Sequence, residues 1–230
     1  MAGLTDHASG IPPGPERALE EARQRWEASM LAEIERLRDP LRELSIDHVG
    51  ENIGAMVVEA ELRFCYWDRD VVVSWSELQP RWSGGEPLNP FDSAMVLHHL
   101  STSDGSPTEG RWVGFRDLPG GEFYHQAYLG YTGRRLAAAF GSDPAPFNAA
   151  AERVGGFRLE GPSPHAWSFT PLPRIPLAAC LWPGDEDLAG QAAVLFDAGA
   201  ARHLPVDGLA LLGAGLTGRL LRASERPAPA

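Results

Sequence analysis

The chain has 230 residues, 43% of them hydrophobic, enough for one sizeable core, and its 31 acidic against 20 basic side chains give a formal charge of -11 that argues against a nucleic-acid partner. All 20 basic residues are arginine, and the missing lysine removes Schiff-base chemistry, a pyridoxal anchor, a Walker-type phosphate loop and the kinase lysine. The two cysteines, Cys65 and Cys180, lack the spacing of a zinc or iron–sulphur site and read as buried thiols.

Residues 1–14, rich in proline and glycine, read as a disordered lead and 226–230 as a disordered tail, leaving 15–225 as a single domain. The N-terminus lacks the basic start and apolar core of a signal peptide. No apolar run approaches the ~20 residues of a membrane span, so a cytoplasmic chain without a membrane partner is expected.

From Pro15 to Arg38 the apolar positions Leu19, Ala22, Trp26, Met30, Ile34 and Leu37 recur at helical spacing, predicting an amphipathic helix with solvated Glu/Arg faces. Asp39-Pro40 predicts a stop there and a short restart through Leu41 and Leu44. Residues 55–75, AMVVEAELRFCYWDRDVVVSW, read as a hairpin turning at Asp68-Arg69-Asp70. Asn89-Pro90 starts a helix whose apolar residues surround most of its axis, the mark of a buried helix.

A loop over 105–110 and an extended piece over 111–116 lead to a helix predicted from Glu122 to Phe140, with Gly130 and Gly133 as weak points. Ser142-Asp143-Pro144 starts another helix, reaching Val154. Strands follow around 166–170, 174–182 and 191–196, the last two antiparallel across Pro183-Gly184-Asp185, and 205–222 closes the domain as a leucine-bearing helix. Helices and hairpins come in blocks, which predicts an α+β fold of antiparallel sheet packed with several helices.

Gly213, Gly215 and Gly218 imitate a dinucleotide fingerprint, but the second strand and acidic residue such a site requires are missing, so a packing helix is expected. Asp185-Glu186-Asp187 lacks the pattern of a calcium loop and reads as a charged hairpin tip. His98 and His99 point about 100° apart on a helix and cannot share a metal in the usual one-face manner. For His98 two readings stand: a neutral core histidine bonded to backbone, or a ligand-facing side chain.

The best candidate site is the corner from Arg111 to His125. Gly120 and Gly121 before a helix would leave backbone N–H groups open to an anion, with Arg111 and Arg116 as bidentate donors and Asp117 orienting one of them. Tyr124, Tyr128, Tyr131 and Arg135 share one helix side on which a planar ligand could stack, while His125 points elsewhere. The structural alternative is an Arg116–Asp117 pair, a tight glycine turn and packing tyrosines.

Three functions are compatible with these residues. One is a non-catalytic binding or accessory module for an anionic or planar small ligand. Another is a hydrolase-like enzyme with His125 as base and Asp117 or Glu122 as its partner. The last is a protein-interaction domain with a flat surface around Tyr128 and Arg135. No cofactor, oligomeric state or ligand identity is specified.

The blocks LHHL (97–100), Gly110, Trp112, FRDLPGG (115–121), Phe123-Tyr124, PLPRIPLAACLWPGDED (171–187), VLFD (194–197) and HLP (203–205), with the closing leucine helix, resemble a bacterial and archaeal family known as domain of unknown function 3786. The resemblance runs from about Pro15 onward and is most specific at FRDLPGG. His99 departs from it, standing where family members often carry tyrosine. The family has no established activity. Members joined to iron–sulphur domains of the kind found with corrinoid proteins imply redox or metallocofactor work, and without the four cysteines this chain would be an accessory to a cofactor held elsewhere.

Overall fold

The computed structural model describes residues 15–225, so the expectations for the first 14 residues and for 226–230 lie outside the described region. Two antiparallel sheets and the helices around them make an α+β fold, as the block order predicts. Helix α1 (Pro15–Arg42) is continuous through Pro40. The expected stop fails because a proline this near a helix end removes one backbone donor without breaking the turns before it. Two i→i+3 bonds, Glu43 N–H to Pro40 O and Leu44 N–H to Leu41 O, close it. The next helix, α2 (Ile46–Ile53), is capped by Ser45, whose side chain accepts from His48 N–H, and ends at Gly54 with φ 74°.

The first sheet is a four-stranded meander, β1 (Met56–Val58), β2 (Glu61–Tyr66), β3 (Arg69–Ser74) and β4 (Gln79–Trp82), where a two-stranded hairpin was expected. The extra turn hid because Glu59 and Ala60 take left-handed φ of 49° and 62° without glycine. The expected turn at 68–70 sits at Trp67-Asp68 instead, since Tyr66 already pairs with Arg69. Pro80 is accommodated because β4 is an edge strand. Cys65, expected to be buried, is exposed.

Asn89 caps α3 (Pro90–Thr102), which is buried on most sides as predicted. The second sheet has the order β5-β9-β8-β7-β6, from β5 (Trp112–Gly114), β6 (Phe157–Leu159), β7 (His165–Leu172), β8 (Ile175–Trp182) and β9 (Gln191–Asp197). The Asp185 carboxylate accepts the N–H groups of Asp187 and Leu188, which shapes the acidic hairpin tip.

The helix expected from Glu122 to Phe140 is broken. Gly121–Tyr124 form a 3-10 turn, followed by α4 (His125–Tyr131) and α5 (Gly133–Phe140), with Thr132 at φ -122°, ψ -96° between them. The Thr132 hydroxyl donates to Tyr128 O at 2.6 Å, and α5 lies against β9. Asp143 caps α6 (Pro144–Arg153), and the closing helix α7 (Val206–Ser224) confirms the packing-helix reading of its glycines: a Cβ at Gly213 would collide with the Tyr128 ring.

One hydrophobic core joins all of this, drawing Phe64 and Val71 from the first sheet, Leu177 and Phe196 from the second, and Leu97 and Leu209 from the helices. The two sheets meet at a seam where Trp67 N–H donates to Pro171 O at 2.7 Å.

Candidate ligand-binding cleft

The corner between Arg111 and His125 is filled by the chain itself. Gly121 N–H donates to Leu118 O at 2.9 Å, and a Cβ on Gly121 would run into Phe115 O. The glycine is thus needed for backbone-to-backbone approach. Gly120, at φ 79°, opens a 3-10 turn of four residues and not an α-helical N-terminus. Arg111 is two-thirds exposed and paired with Glu109 at 3.2 Å; Arg116 is exposed as well.

Tyr128 is stacked in the core on Phe115, centroids 4.1 Å apart, and its hydroxyl faces Val194 O. The three tyrosines do not form one stacking face: Tyr128 is buried, Tyr131 packs edge-on to it, and Tyr124 stands exposed in the preceding turn. Among the described residues no hydrogen bond or ion pair links half-buried His125 to Asp117 or Glu122.

The core-histidine reading of His98 belongs to its neighbour. His98 is half-buried with Nε2 3.3 Å from Glu33 Oε1, whereas His99 is fully buried and its Nδ1–H donates to His203 O at 3.0 Å. The Ser103 hydroxyl donates to Asn52 O and accepts from His203 Nδ1–H at 2.8 Å, which fixes the tautomer. Burial holds both imidazoles below the ordinary range, His99 at about 4, so both are neutral at pH 7.

Arg174, at φ 62° in the β7–β8 turn, donates to Glu51 O beside them. Nearby, the buried Asp197 accepts the N–H groups of Glu109, Gly110 and Gly199. Several of the blocks that carry the family resemblance, LHHL, PLPRIP, VLFD and HLP, therefore meet in one buried clamp that ties α2, α3 and the second sheet together.

The open site lies elsewhere, at the seam between the sheets, in a cleft of about 510 Å³. Trp67 and Asp68 reach it from the β2–β3 turn, Phe169 from β7, Arg153 from the end of α6, and Arg219 and Arg222 from the last turns of α7. The Arg219 guanidinium lies 3.9 Å over the Trp67 ring, and Arg153 Nη1 donates to Ala223 O at 2.9 Å.

Burial and the neighbouring Arg222 lower the Arg219 pKa, while Tyr66, Asp68 and Asp92 oppose them; the group stays charged at any working pH. Tyr66 donates to Asp92 at 2.8 Å, and burial followed by the Asp92 charge pushes its phenol far above the ordinary range. Among the described residues none of the three cleft arginines has a carboxylate within the 4.0 Å of an ion pair. Sequence reading passed over these residues because they are scattered from 67 to 222; the available signal was the absence of acid between Asp207 and Glu225 on a helix that ends with two arginines.

A further hollow of about 430 Å³ on the first sheet includes Cys65 and Arg63. Its arginine is paired with Glu61, and burial with Asp70 and Asp68 raises the Cys65 pKa, which disfavours a nucleophilic thiolate.

The chain is an α+β scaffold of two antiparallel sheets with an arginine-rich cleft at their seam and, apart from it, a buried histidine clamp. The family model described as Domain of unknown function (DUF3786) matches residues 45–219, and the chain belongs to that family. No curated protein and no solved structure matches the chain.

Proposed function

We propose that the chain is a cytoplasmic, non-catalytic binding module for an anionic small molecule with a planar body, held in the cleft of Arg153, Arg219, Arg222, Trp67 and Phe169. The observation that carries this reading is the convergence on one aromatic-walled cleft of three guanidinium groups that have no ion-pair partner among the described residues. An oxyanion supplies the missing counter-charge and takes bidentate N–H donation, while Trp67 and Phe169 offer apolar surface to its body. Asp68 leaves the lining with a net charge of +2, three arginines against one carboxylate, which favours a dianion. In the setting the family resemblance implies, such a module acts as an accessory to redox or metallocofactor chemistry held on another protein.

Calorimetry with 2-naphthoate, 2-naphthylmethylammonium and inorganic phosphate tests the reading. The naphthoate is expected to bind saturably and the ammonium isostere not at all. Arg219→Ala and Arg222→Ala should each weaken naphthoate about tenfold or more, the worth of one charge-assisted hydrogen bond. Equal binding of the cation and the anion, or unchanged affinity in both variants, removes this function.

A further inference from the structure

Of the three cleft arginines, Arg219 is half-buried while Arg153 and Arg222 are exposed, so its charge is the least screened. Its place depends on Trp67. The Trp67 ring lies along α7, so near that a Cβ at Gly215 would stand 3.3 Å from it, and the Arg219 guanidinium one turn later covers the ring face.

Behind Trp67 stands Tyr66, buried, with its ring stacked on Trp82 at 16° between the planes. Its hydroxyl donates to Asp92 Oδ1 at 2.8 Å. Asp92 is half-buried in the first turn of α3, and its other oxygen accepts from Asn89 Nδ2 at 2.7 Å. Neither donor carries a charge. Burial, then the Asp92 charge, keeps the phenol protonated at any working pH, so the hydroxyl remains a donor.

Arg219 is the cation whose charge acts on Tyr66, and the Asp92 charge acts on Arg219 in turn, yet among the described residues no ion pair joins the two. A hydrogen bond from a guanidinium to a carboxylate is roughly twice as strong as one between neutral groups. Asp92 is therefore a competitor for Arg219 that its two neutral donors keep occupied.

We propose that Tyr66 is a positioning residue for the anion cleft: its hydroxyl engages Asp92 and thereby leaves the Arg219 guanidinium on the face of Trp67, free for the ligand. This role rests on the anion-binding reading of the cleft, while the position of Arg219 is measurable without a ligand.

The Arg219 Nε–H signal in ¹H–¹⁵N spectra of the full chain, assigned by its loss in Arg219→Lys, should lie upfield because it sits over an indole ring. In Tyr66→Phe the guanidinium should leave Trp67 for Asp92, the upfield shift should collapse, and 2-naphthoate should bind about tenfold more weakly. The double variant Tyr66→Phe/Asp92→Asn removes the competing charge; it should recover the upfield signal and bind naphthoate within about threefold of the natural chain. Asp92→Asn alone should tighten naphthoate about threefold, which carries the test if Tyr66→Phe fails a folding check by circular dichroism. An upfield signal that is absent from the natural chain or persists in folded Tyr66→Phe, a double variant no better than Tyr66→Phe, or an Asp92→Asn chain that binds no more tightly overturns the proposal. Absence of naphthoate binding in the natural chain removes the function proposed for the cleft, and the Arg219 signal in Tyr66→Phe and in the double variant then decides whether the hydroxyl holds Arg219 in place.

Discussion

The imidazole of His99 is fully buried, so a proton that is welcome in the unfolded chain is unwelcome in the folded one. Its pKa falls from the ordinary 6.5 to about 4. Between those values the unfolded state binds more protons, so stability falls as the pH drops through the window and levels off, for this group, below about pH 4. A shift of this size is worth about 3 kcal/mol. His203 contributes in the same direction. Urea unfolding at pH 7 and pH 4.5 should show the loss. In His99→Gln the slope with pH should be shallower even though the variant is less stable at pH 7; an identical slope would show that other groups carry the acid sensitivity. At this scale the LHHL block was legible as special, but which histidine faced the core was not. Ala94 and Met95, one turn earlier, are both buried, so helical phase could not separate 98 from 99.

Among the elements, α7 and α4 give contrasting glycine tests. Gly213 on α7 packs against the Tyr128 ring, so Gly213→Ala should destabilise by about 1–3 kcal/mol through overpacking, despite the better helix propensity of alanine. Gly130 on α4 is exposed, and a Cβ there meets nothing within 4 Å, so Gly130→Ala should stabilise by up to about 1 kcal/mol. Thermal melts of the pair check both signs, and two shifts in one direction would contradict the packing described. The same elements show what pattern reading can reach. Asn89-Pro90 and Asp143-Pro144 announce helix starts because capping is local chemistry. The break at Thr132 and the glycine-free turn at Glu59-Ala60 are set by pairing with β9 and between β1 and β2, contacts that no local pattern carries.

At the scale of the whole molecule, the proposed anion site exists because a turn of one sheet, a strand of the other and the ends of two helices arrive at one seam. Its arginines are partly open to solvent, so raising NaCl from about 0.05 to 0.5 M should weaken 2-naphthoate binding several-fold, since the screening length shrinks below the size of the cleft. Unchanged affinity over that range would mean that stacking alone holds the ligand. The acidic balance, the absence of lysine, the α+β class, the buried third helix and the family were all readable from residue order, because composition, periodicity and capping act over a few neighbouring residues. The candidate site was not. Gly120 and Gly121 look locally like an anion-binding corner, yet Phe115 O occupies the space beside them. Arg153, Arg219 and Arg222 gain their meaning only when the packing of α6 and α7 brings them to Trp67 and Asp68, with no carboxylate among the described residues at ion-pair distance.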